Sequence, residues 1–227
     1  MKFNTVLFDL DETLLDFKKT EKEALNSLFS ILDTKNSTEV LTSTYKIINK
    51  KIWRELEEGK ITPDELHFER FNRLKNELDL IETKEFLAEK YTYFLSKGAY
   101  AFNKSKEILD YLKDKYTLGS ITNGLTVVQK ERLRILGFDK YFKKIIISQE
   151  VGYSKPNTKI FEIAFKELNL TKKESVLMIG DSLNSDIFGG NSFGIKTCYC
   201  NFNNIENTSN IKPTYEINSL LKLKEIL

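Results

Sequence analysis

The chain of 227 residues contains only two cysteines and a single histidine. Cys198 and Cys200 lie two residues apart on a predicted strand, so they are poorly placed to bond to each other and are expected to be small apolar strand residues. Free thiols, and an N-terminus that leads into a predicted strand without a secretion signal, favour a reducing cytoplasm. His67 is expected on the surface of a helix rather than in catalysis.

Long apolar runs and an excess of one charge are also missing. No segment is apolar for the roughly 20 residues that a membrane-spanning helix needs. The formal net charge is +2, and lysines are interspersed with acids, so no basic stripe indicates a nucleic-acid partner. Without internal repeats or low-complexity linkers, the length suits one large domain, or a core domain with a second one inserted.

Residues 6–15 are the most informative stretch. The apolar residues 6–8 predict a buried parallel strand, and Asp9 and Asp11 follow it at a spacing of two. Side chains at i and i+2 of a strand leave on the same side, so the two carboxylates should share one small volume. Burying them together requires a cation or a proton to offset the charge. The alternative is an ordinary strand end followed by a solvated acidic turn.

Residues 17–97 show only helical periodicity, with apolar residues at i, i+3, i+4 and i+7 spacing, as in residues 24–32. Gly59 ends one predicted helix, and Thr62, Pro63 and Glu65 start the next as N-cap, first residue and capping-box partner. This block predicts an all-helical domain inserted into a core formed by residues 1–16 and 98–227.

From residue 104 the pattern alternates between helices and strands. Strands are predicted at residues 117–122, 144–148, 175–180 and 195–200, with a short last one at 214–217. Strands alternating with helices indicate a parallel sheet covered on both faces. We therefore expect an α/β fold, with a Rossmann-like doubly wound parallel sheet as core and an inserted all-helical cap domain.

Polar residues stand at the ends of these strands, where open α/β sheets form their sites. Thr122 and Asn123 follow the second strand, Lys155 the third, and Asp181 and Asp186 the fourth. Each alone has a simpler explanation, such as a helix cap or a solvated lysine. Their joint occurrence after Asp9 and Asp11 indicates a pocket for a phosphate or a metal.

In order along the chain, Asp9-x-Asp11-x-Thr13, Thr122, Lys155-Pro156 and Gly180-Asp181 with Asp186 resemble the four motifs of the haloacid dehalogenase-like hydrolase superfamily. The resemblance spans residues 3 to about 200, and the helical block matches the cap of that superfamily. Residues 8–17 and 53–66 are similar to its pyrimidine 5′-nucleotidase branch. The resemblance therefore implies a phosphatase acting on a nucleoside monophosphate.

A phosphate monoester resists attack because nucleophile and ester are both negative, so an enzyme needs a fixed nucleophile, cations and an acid for the leaving alcohol. In this scheme Asp9 is the nucleophile that forms an aspartyl-phosphate, and Asp11 is the general acid and base. Mg²⁺ suits such a site because it takes carboxylates, water and phosphate oxygens.

The resemblance also implies the remaining ligands of the site. The metal would be bound by the side chains of Asp9 and Asp181 and the backbone carbonyl of Asp11. Asp186 would orient a metal-bound water or Lys155. The Thr122 hydroxyl, the Asn123 backbone N–H and Lys155 would bind the phosphate.

Substrate choice is expected to depend on the helical block. Candidates for contacting a base or sugar are Trp53, Arg54, His67, Arg70 and Phe71. The simpler explanations, which are preferred, are packing inside the block for Trp53 and Phe71 and a surface position for His67. The alternative functions are a phosphatase for phosphoglycolate or a sugar phosphate and, from another class, a phospho-receiver signalling module, which has about half this length and no cap. The expected partner is a small phosphate ester, without nucleic acid or membrane, and the protein would be a monomer or a homodimer.

Overall fold

The computed structural model describes residues 3–227, and within that range it contains one parallel sheet of six strands. The strands are β1 (Thr5–Phe8), β2 (Thr117–Thr122), β3 (Lys144–Ile147), β4 (Val176–Gly180), β5 (Lys196–Cys200) and β6 (Tyr215–Ile217). Their order in the sheet is β3-β2-β1-β4-β5-β6, and every neighbouring pair is parallel. In this doubly wound order β2 and β3 are added on one side of β1, and β4 to β6 are added on the other.

The central strands form where the sequence is apolar on both faces. Every residue of β1 and β4 is buried, because helices cover the sheet on each side. β1 lies between β2 and β4, with Phe8 opposite Ser120 on one side and Ile179 on the other. The predicted α/β class is thus confirmed.

Residues 17–97 form four helices, α1 (Phe17–Phe29), α2 (Thr38–Glu57), α3 (Pro63–Leu78) and α4 (Lys84–Lys97). The predicted capping box is present at the start of α3, where the Thr62 N–H donates to Glu65 Oε2 at 2.7 Å and the Glu65 N–H donates to Thr62 Oγ1 at 3.2 Å. The helices share an apolar core in which the rings of Tyr45, Phe71 and Tyr91 lie 5.2 to 5.8 Å apart.

The helices around the sheet are α5 (Ser105–Leu112), α6 (Thr126–Leu136), α7 (Ser148–Val151), α8 (Thr158–Leu168), α9 (Phe188–Phe193) and α10 (Leu223–Ile226). α9 is preceded by a π-helical turn, Leu183–Ile187, that starts after Ser182. Ser148, predicted as the end of a strand, instead begins α7.

The chain leaves and re-enters the sheet region at one place. The Asp16 N–H donates to the Tyr100 carbonyl at 2.9 Å, and the Phe102 N–H donates to the Leu14 carbonyl at 3.0 Å. Leu15 pairs with Ala101 in an antiparallel bridge. The two segments that connect α1–α4 to the rest of the chain therefore run side by side.

The structure shows the surroundings of the two cysteines and the character of the helices. Both cysteines are buried and unbonded in β5. Among residues 3–227, no helix has both the length and the apolar character needed to cross a membrane.

Candidate active site

Asp9 follows β1 at the centre of the sheet, where its backbone N–H donates to the Ile179 carbonyl at 2.8 Å. Its side chain is buried, and Lys155 Nζ lies 2.6 Å from its Oδ1. The same ammonium lies 2.7 Å from Asp186 Oδ1 and donates to the Ile121 carbonyl at 2.7 Å. Lys155 is only 1 % exposed, so these contacts replace water around its charge.

The ends of β1 and β4 bring three carboxylates together. One oxygen from each of Asp9, Asp181 and Asp186 lies within 4.8 Å of the others. Asp186 is fixed by the backbone N–H of Ser182, which donates to its Oδ2 at 2.9 Å. The close approach depends on Gly180, because a Cβ at that position would lie 2.2 Å from Asp186 Oδ2.

Burial and mutual repulsion dominate the electrostatics of this cluster. Burial raises the pKa of Asp9 to about 7, although Lys155 opposes the shift. Burial, followed by the charges of Asp9 and Asp186, raises the pKa of Asp181 well above its usual value. Burial disfavours the charged form of Lys155, but Asp186 and Asp9 outweigh it and raise the pKa of that lysine.

The chemistry of this donor set fits a hard divalent cation. Three carboxylates face one ammonium, so an uncompensated negative charge remains in a buried place. Oxygen ligands from one or two carboxylates are what Mg²⁺ takes in proteins. A cation among Asp9, Asp181 and Asp186 would offset both the burial and the mutual repulsion that raise the pKa values of Asp9 and Asp181.

Asp11 lines the same cavity as Asp9, and its charge acts on the carboxyl of Asp9. Its own contacts are with α6: Asp11 Oδ1 lies 2.6 Å from Arg132 Nη1, and Asp11 Oδ2 accepts a hydrogen bond from Gln129 Nε2 at 2.9 Å. β1 ends at Phe8, and Glu12 turns the chain with a φ of 61°.

The residues after β2 hold the loop that carries Lys155. The Asn123 side chain donates through Nδ2 to the Lys155 carbonyl at 2.9 Å and accepts from the Lys155 N–H through Oδ1 at 2.8 Å. Thr122 is fully buried, and its hydroxyl accepts from Gln129 Nε2 at 2.8 Å. Asn123 lines the cavity and Thr122 does not.

Sequence reasoning missed Gln129 and Arg132. Both lie on the inward face of α6, where Val128 and Leu133 are also buried. Their signal was present in the sequence, because a glutamine and an arginine occupy positions of a helix that apolar spacing assigns to the core. A buried arginine needs a partner, and the acidic residues after β1 are the natural ones.

The cavity has a volume of about 440 Å³ and reaches from the carboxylate cluster to helices α1–α4. On the helical side, Glu21 Oε1 accepts hydrogen bonds from the Tyr91 hydroxyl at 3.0 Å and from Asn49 Nδ2 at 3.2 Å. Trp53 and Arg70 line the cavity beside them. Apolar residues also line the cavity: Phe17, Leu56, Leu66 and Leu95 from α1–α4, and Leu125 and Val128 at the start of α6.

The other candidates from the helical block lie elsewhere. Phe71 is fully buried among the helices, Arg54 is exposed, and His67 is half-buried on α3. None of these three lines the cavity. Of the five candidates, the structure therefore brings only Trp53 and Arg70 to the cavity wall.

Residues 3–194 match the family model described as haloacid dehalogenase-like hydrolase. The chain is 36% identical to YfnB of Bacillus subtilis over 226 residues, which cover 100% of this chain and 96% of that protein. It is also 36% identical to the pyrimidine 5′-nucleotidase PynA of Streptococcus pneumoniae, covering 100% and 96% of the two chains. Identity to the pyrimidine 5′-nucleotidase YjjG of Escherichia coli is 32%, covering 100% and 99%.

The fold comparison agrees. The crystal structure of YfnB bound to magnesium superposes with a TM-score of 0.91 at 36% identity, covering 100% of this chain and 99% of that one. That structure is described as revealing interdomain movement.

Proposed function

Because this chain belongs to the haloacid dehalogenase-like hydrolase family, we propose that it hydrolyses phosphate monoesters with Mg²⁺, through a phosphoryl group carried on Asp9. The observation that carries the proposal is the grouping of the buried residues Asp9, Lys155 and Asp186 with the half-buried Asp181 at one end of the cavity. A nucleophilic carboxylate beside a fixed cation is what a phosphoryl transfer needs.

In the first half of the reaction a carboxylate oxygen of Asp9 forms a bond to phosphorus while the bond from phosphorus to the ester oxygen breaks. Asp11 gives its proton to that oxygen, so the leaving group departs as a neutral alcohol. In the second half Asp11 takes a proton from the water that attacks the aspartyl-phosphate, and Asp9 is released as a carboxylate.

The phosphate would be held by Lys155, by the Asn123 backbone N–H and by the Thr122 hydroxyl. Lys155 is fixed for this role through its contact with Asp9 and through the pairing of its backbone with Asn123. The Thr122 hydroxyl already accepts from Gln129, so its proton remains available for a phosphate oxygen.

Mg²⁺, when bound, would offset the charge of the carboxylates and of the phosphate. We assign to it the side chains of Asp9 and Asp181 and the backbone carbonyl of Asp11. The contact of Asp186 with Lys155 at 2.7 Å supports a role for Asp186 in orienting that lysine. Its place beside Asp9 and Asp181 also leaves it close enough to orient a water on the metal.

For the substrate we propose nucleoside monophosphates, with pyrimidine 5′-monophosphates preferred. The helical wall of the cavity offers the flat apolar surface of Trp53 together with the amide of Asn49 and the guanidinium of Arg70. A base can stack on the first and form hydrogen bonds to the others, whereas phosphoglycolate has no apolar part. The relatives PynA and YjjG are named pyrimidine 5′-nucleotidases, which supports the same choice.

This assignment makes residues 17–97 a cap domain over a core of residues 1–16 and 98–227. The two buried thiols suit a reducing compartment, and we place the protein in the cytoplasm as a monomer or a homodimer.

Steady-state kinetics on about twenty phosphate esters with Mg²⁺ tests the proposal. We expect kcat/KM for the pyrimidine monophosphates to exceed those for phosphoglycolate and sugar phosphates by at least about tenfold, the worth of one hydrogen bond to a charged group. Asp9→Asn is the control and should hydrolyse none of them. Equal rates on all esters would support the phosphatase proposal and contradict the nucleotidase proposal. Hydrolysis by Asp9→Asn would contradict both.

A further inference from the structure

The Asp11 carboxylate is held by two residues of α6. Arg132 Nη1 lies 2.6 Å from Oδ1, and Gln129 Nε2 donates to Oδ2 at 2.9 Å. The two residues also contact each other, because Arg132 Nη1 donates to Gln129 Oε1 at 3.0 Å. They are three positions apart on one helix, which places their side chains on one face. Both oxygens of Asp11 are therefore bound by donors from the same direction.

Arg132 is placed at considerable cost. It has no exposed surface, and its guanidinium lies 5.5 Å from the centre of the Phe17 ring. Neither its Nε nor its Nη2 has a hydrogen-bond acceptor among residues 3–227. Burying a cation with two unused donors is unfavourable unless its remaining partners are strong. The principal partner is Asp11, the residue proposed above as the general acid.

Gln129 connects Asp11 to the phosphate end of the site. Its Nε2 donates both to Asp11 Oδ2 at 2.9 Å and to the Thr122 hydroxyl at 2.8 Å. Gln129 lines the cavity, whereas Arg132 does not. The glutamine thus lies between the acid and a proposed phosphate ligand, and the arginine lies behind the acid, away from the substrate.

We propose that Arg132 and Gln129 are positioning residues that hold Asp11 for proton transfer to and from the leaving oxygen. The inference rests on the proposed phosphatase function. Arg132 anchors Oδ1 throughout the reaction, so the Asp11 carboxyl can turn only about that contact. Gln129 donates to Oδ2, the oxygen that exchanges the proton, and holds it at a fixed position relative to the Thr122 hydroxyl.

Two donors reach the two oxygens of Asp11. Its proton leaves with the alcohol as the ester bond breaks and the Asp9–phosphorus bond forms, and the carboxylate that results is held at both oxygens. In that state Arg132 and Gln129 stabilise the negative charge created on Asp11. The same carboxylate then accepts the proton of the attacking water, so the positioning residues serve both halves of the reaction.

A purely structural role predicts a different result. If Arg132 only neutralised Asp11 and tied α6 to the turn after β1, its loss would lower stability and slow all substrates alike. A positioning role makes the loss depend on how much the leaving group needs a proton, because a good leaving group departs without general acid catalysis.

The test compares p-nitrobenzyl phosphate with p-nitrophenyl phosphate. The two esters are similar in shape, but the first releases a basic alkoxide and the second a stable phenolate. Arg132→Met should lower kcat/KM for the benzyl ester about 100-fold, within the range of general acid catalysis, and that for the phenyl ester less than about fivefold. Gln129→Leu should act in the same direction by about tenfold, the worth of one hydrogen bond to a charged group.

Two further variants complete the set. Arg132→Lys retains the cation and should recover part of the loss on the benzyl ester. Arg134→Met is the matched control, because Arg134 lies two residues along α6 and pairs at the surface with Glu131 at 2.7 Å. Arg134→Met should leave kcat/KM for both esters unchanged. Thermal unfolding and calorimetric titration with Mg²⁺ should show folded variants with wild-type metal affinity.

An equal fall for both esters in Arg132→Met and Gln129→Leu would overturn the inference. So would a raised KM for both esters with weaker inhibition by inorganic phosphate, since the two side chains would then bind the phosphoryl group. If Arg132→Met does not fold, Gln129→Leu decides the question by the same ratio. Failure of the proposed function looks different, because the wild type would then hydrolyse neither ester with Mg²⁺.

Discussion

Replacing Lys155 with methionine removes a buried cation that contacts two carboxylates. Its Nζ lies 2.6 Å from Asp9 and 2.7 Å from Asp186, and the side chain is 1 % exposed. Methionine has a similar length, so the change removes charge with little change of volume. Asp9 and Asp186 would then face each other without the cation that lies between them.

The magnitude follows from that geometry. Removing one partner of a buried ion pair costs about 3–5 kcal/mol, because the other charge remains buried without compensation. We expect Lys155→Met to lower the free energy of unfolding by about 4 kcal/mol in the presence of a chelator, and by less with Mg²⁺. Activity should fall at least about 100-fold, since a fixed charge beside the transferred phosphoryl group is lost.

Urea denaturation followed by circular dichroism measures the stability change, and an unchanged m-value shows that the denatured state is the same. Lys159→Met is the matched control, because Lys159 is exposed four residues along the same segment. Its Nζ donates to the Tyr153 hydroxyl at 3.3 Å and lies 4.8 Å from the centre of that ring, both of them contacts with a single neighbour. It should change the free energy of unfolding by less than about 0.5 kcal/mol.

A second substitution isolates the electrostatic cause. Asp186→Asn keeps an oxygen that can accept from the Ser182 N–H and removes one of the two uncompensated charges. Added to Lys155→Met, it should restore about 1 kcal/mol or more of stability, a typical coupling for residues in contact, without restoring activity. The reasoning is refuted if Lys155→Met is as stable as the wild type, or if the second substitution only adds its own loss.

Three further predictions concern the metal, the strand end and a histidine. Chelation with EDTA should abolish hydrolysis and lower the melting temperature, and added Mg²⁺ should restore both. The reason is that a cation bound only by the folded protein stabilises it. An unaffected melting temperature would argue against a metal at Asp9, Asp181 and Asp186. Gly180→Ala places a methyl group about 2.2 Å from Asp186 Oδ2, and such overpacking should cost about 1–3 kcal/mol in urea denaturation together with activity; wild-type kcat would contradict the tight packing. Burial, followed by the charge of Arg70, lowers the pKa of His67 to about 4 from 6.5. Between these two pH values the unfolded chain binds more protons than the folded chain. The free energy of unfolding should therefore rise as pH rises through that window. His67→Asn should flatten this rise in denaturation curves taken from pH 4 to 7, and an unchanged slope would show that the ring titrates freely.

The fold was predictable from the sequence because its signals are local. The uninterrupted apolar run before Asp9 indicated a central strand, and the structure buries all of β1. Thr62 and Glu65 marked the start of α3 through a capping box that the structure contains. The start of α2 is set by Ser37, an N-cap that lies outside the apolar pattern of the helix.

The site was predictable only as far as strand ends determine it. The positions of Asp9, Lys155 and Asp181 follow from parallel strands that end at one edge of the sheet. The contacts of Asp11 with Gln129 and Arg132 do not follow from strand ends, because they depend on a helix more than a hundred residues later in the chain. The three-way contact of Lys155 with Asp9, Asp186 and the Ile121 carbonyl likewise requires the loop conformation that Asn123 fixes. Spacing along a sequence carries no information about such contacts.

The paired connections at Asp16 and Tyr100 have a consequence for engineering. Since the Asp16 N–H meets the Tyr100 carbonyl at 2.9 Å and Leu15 bridges to Ala101, the intervening eighty or so residues begin and end at neighbouring points. A segment whose ends lie next to each other can be replaced as a unit without displacing the backbone on either side of it. Grafting residues 17–97 onto the sheet of a relative, or replacing them with a short glycine linker, would test the proposal that these helices select the alcohol while the sheet carries the chemistry on the phosphate.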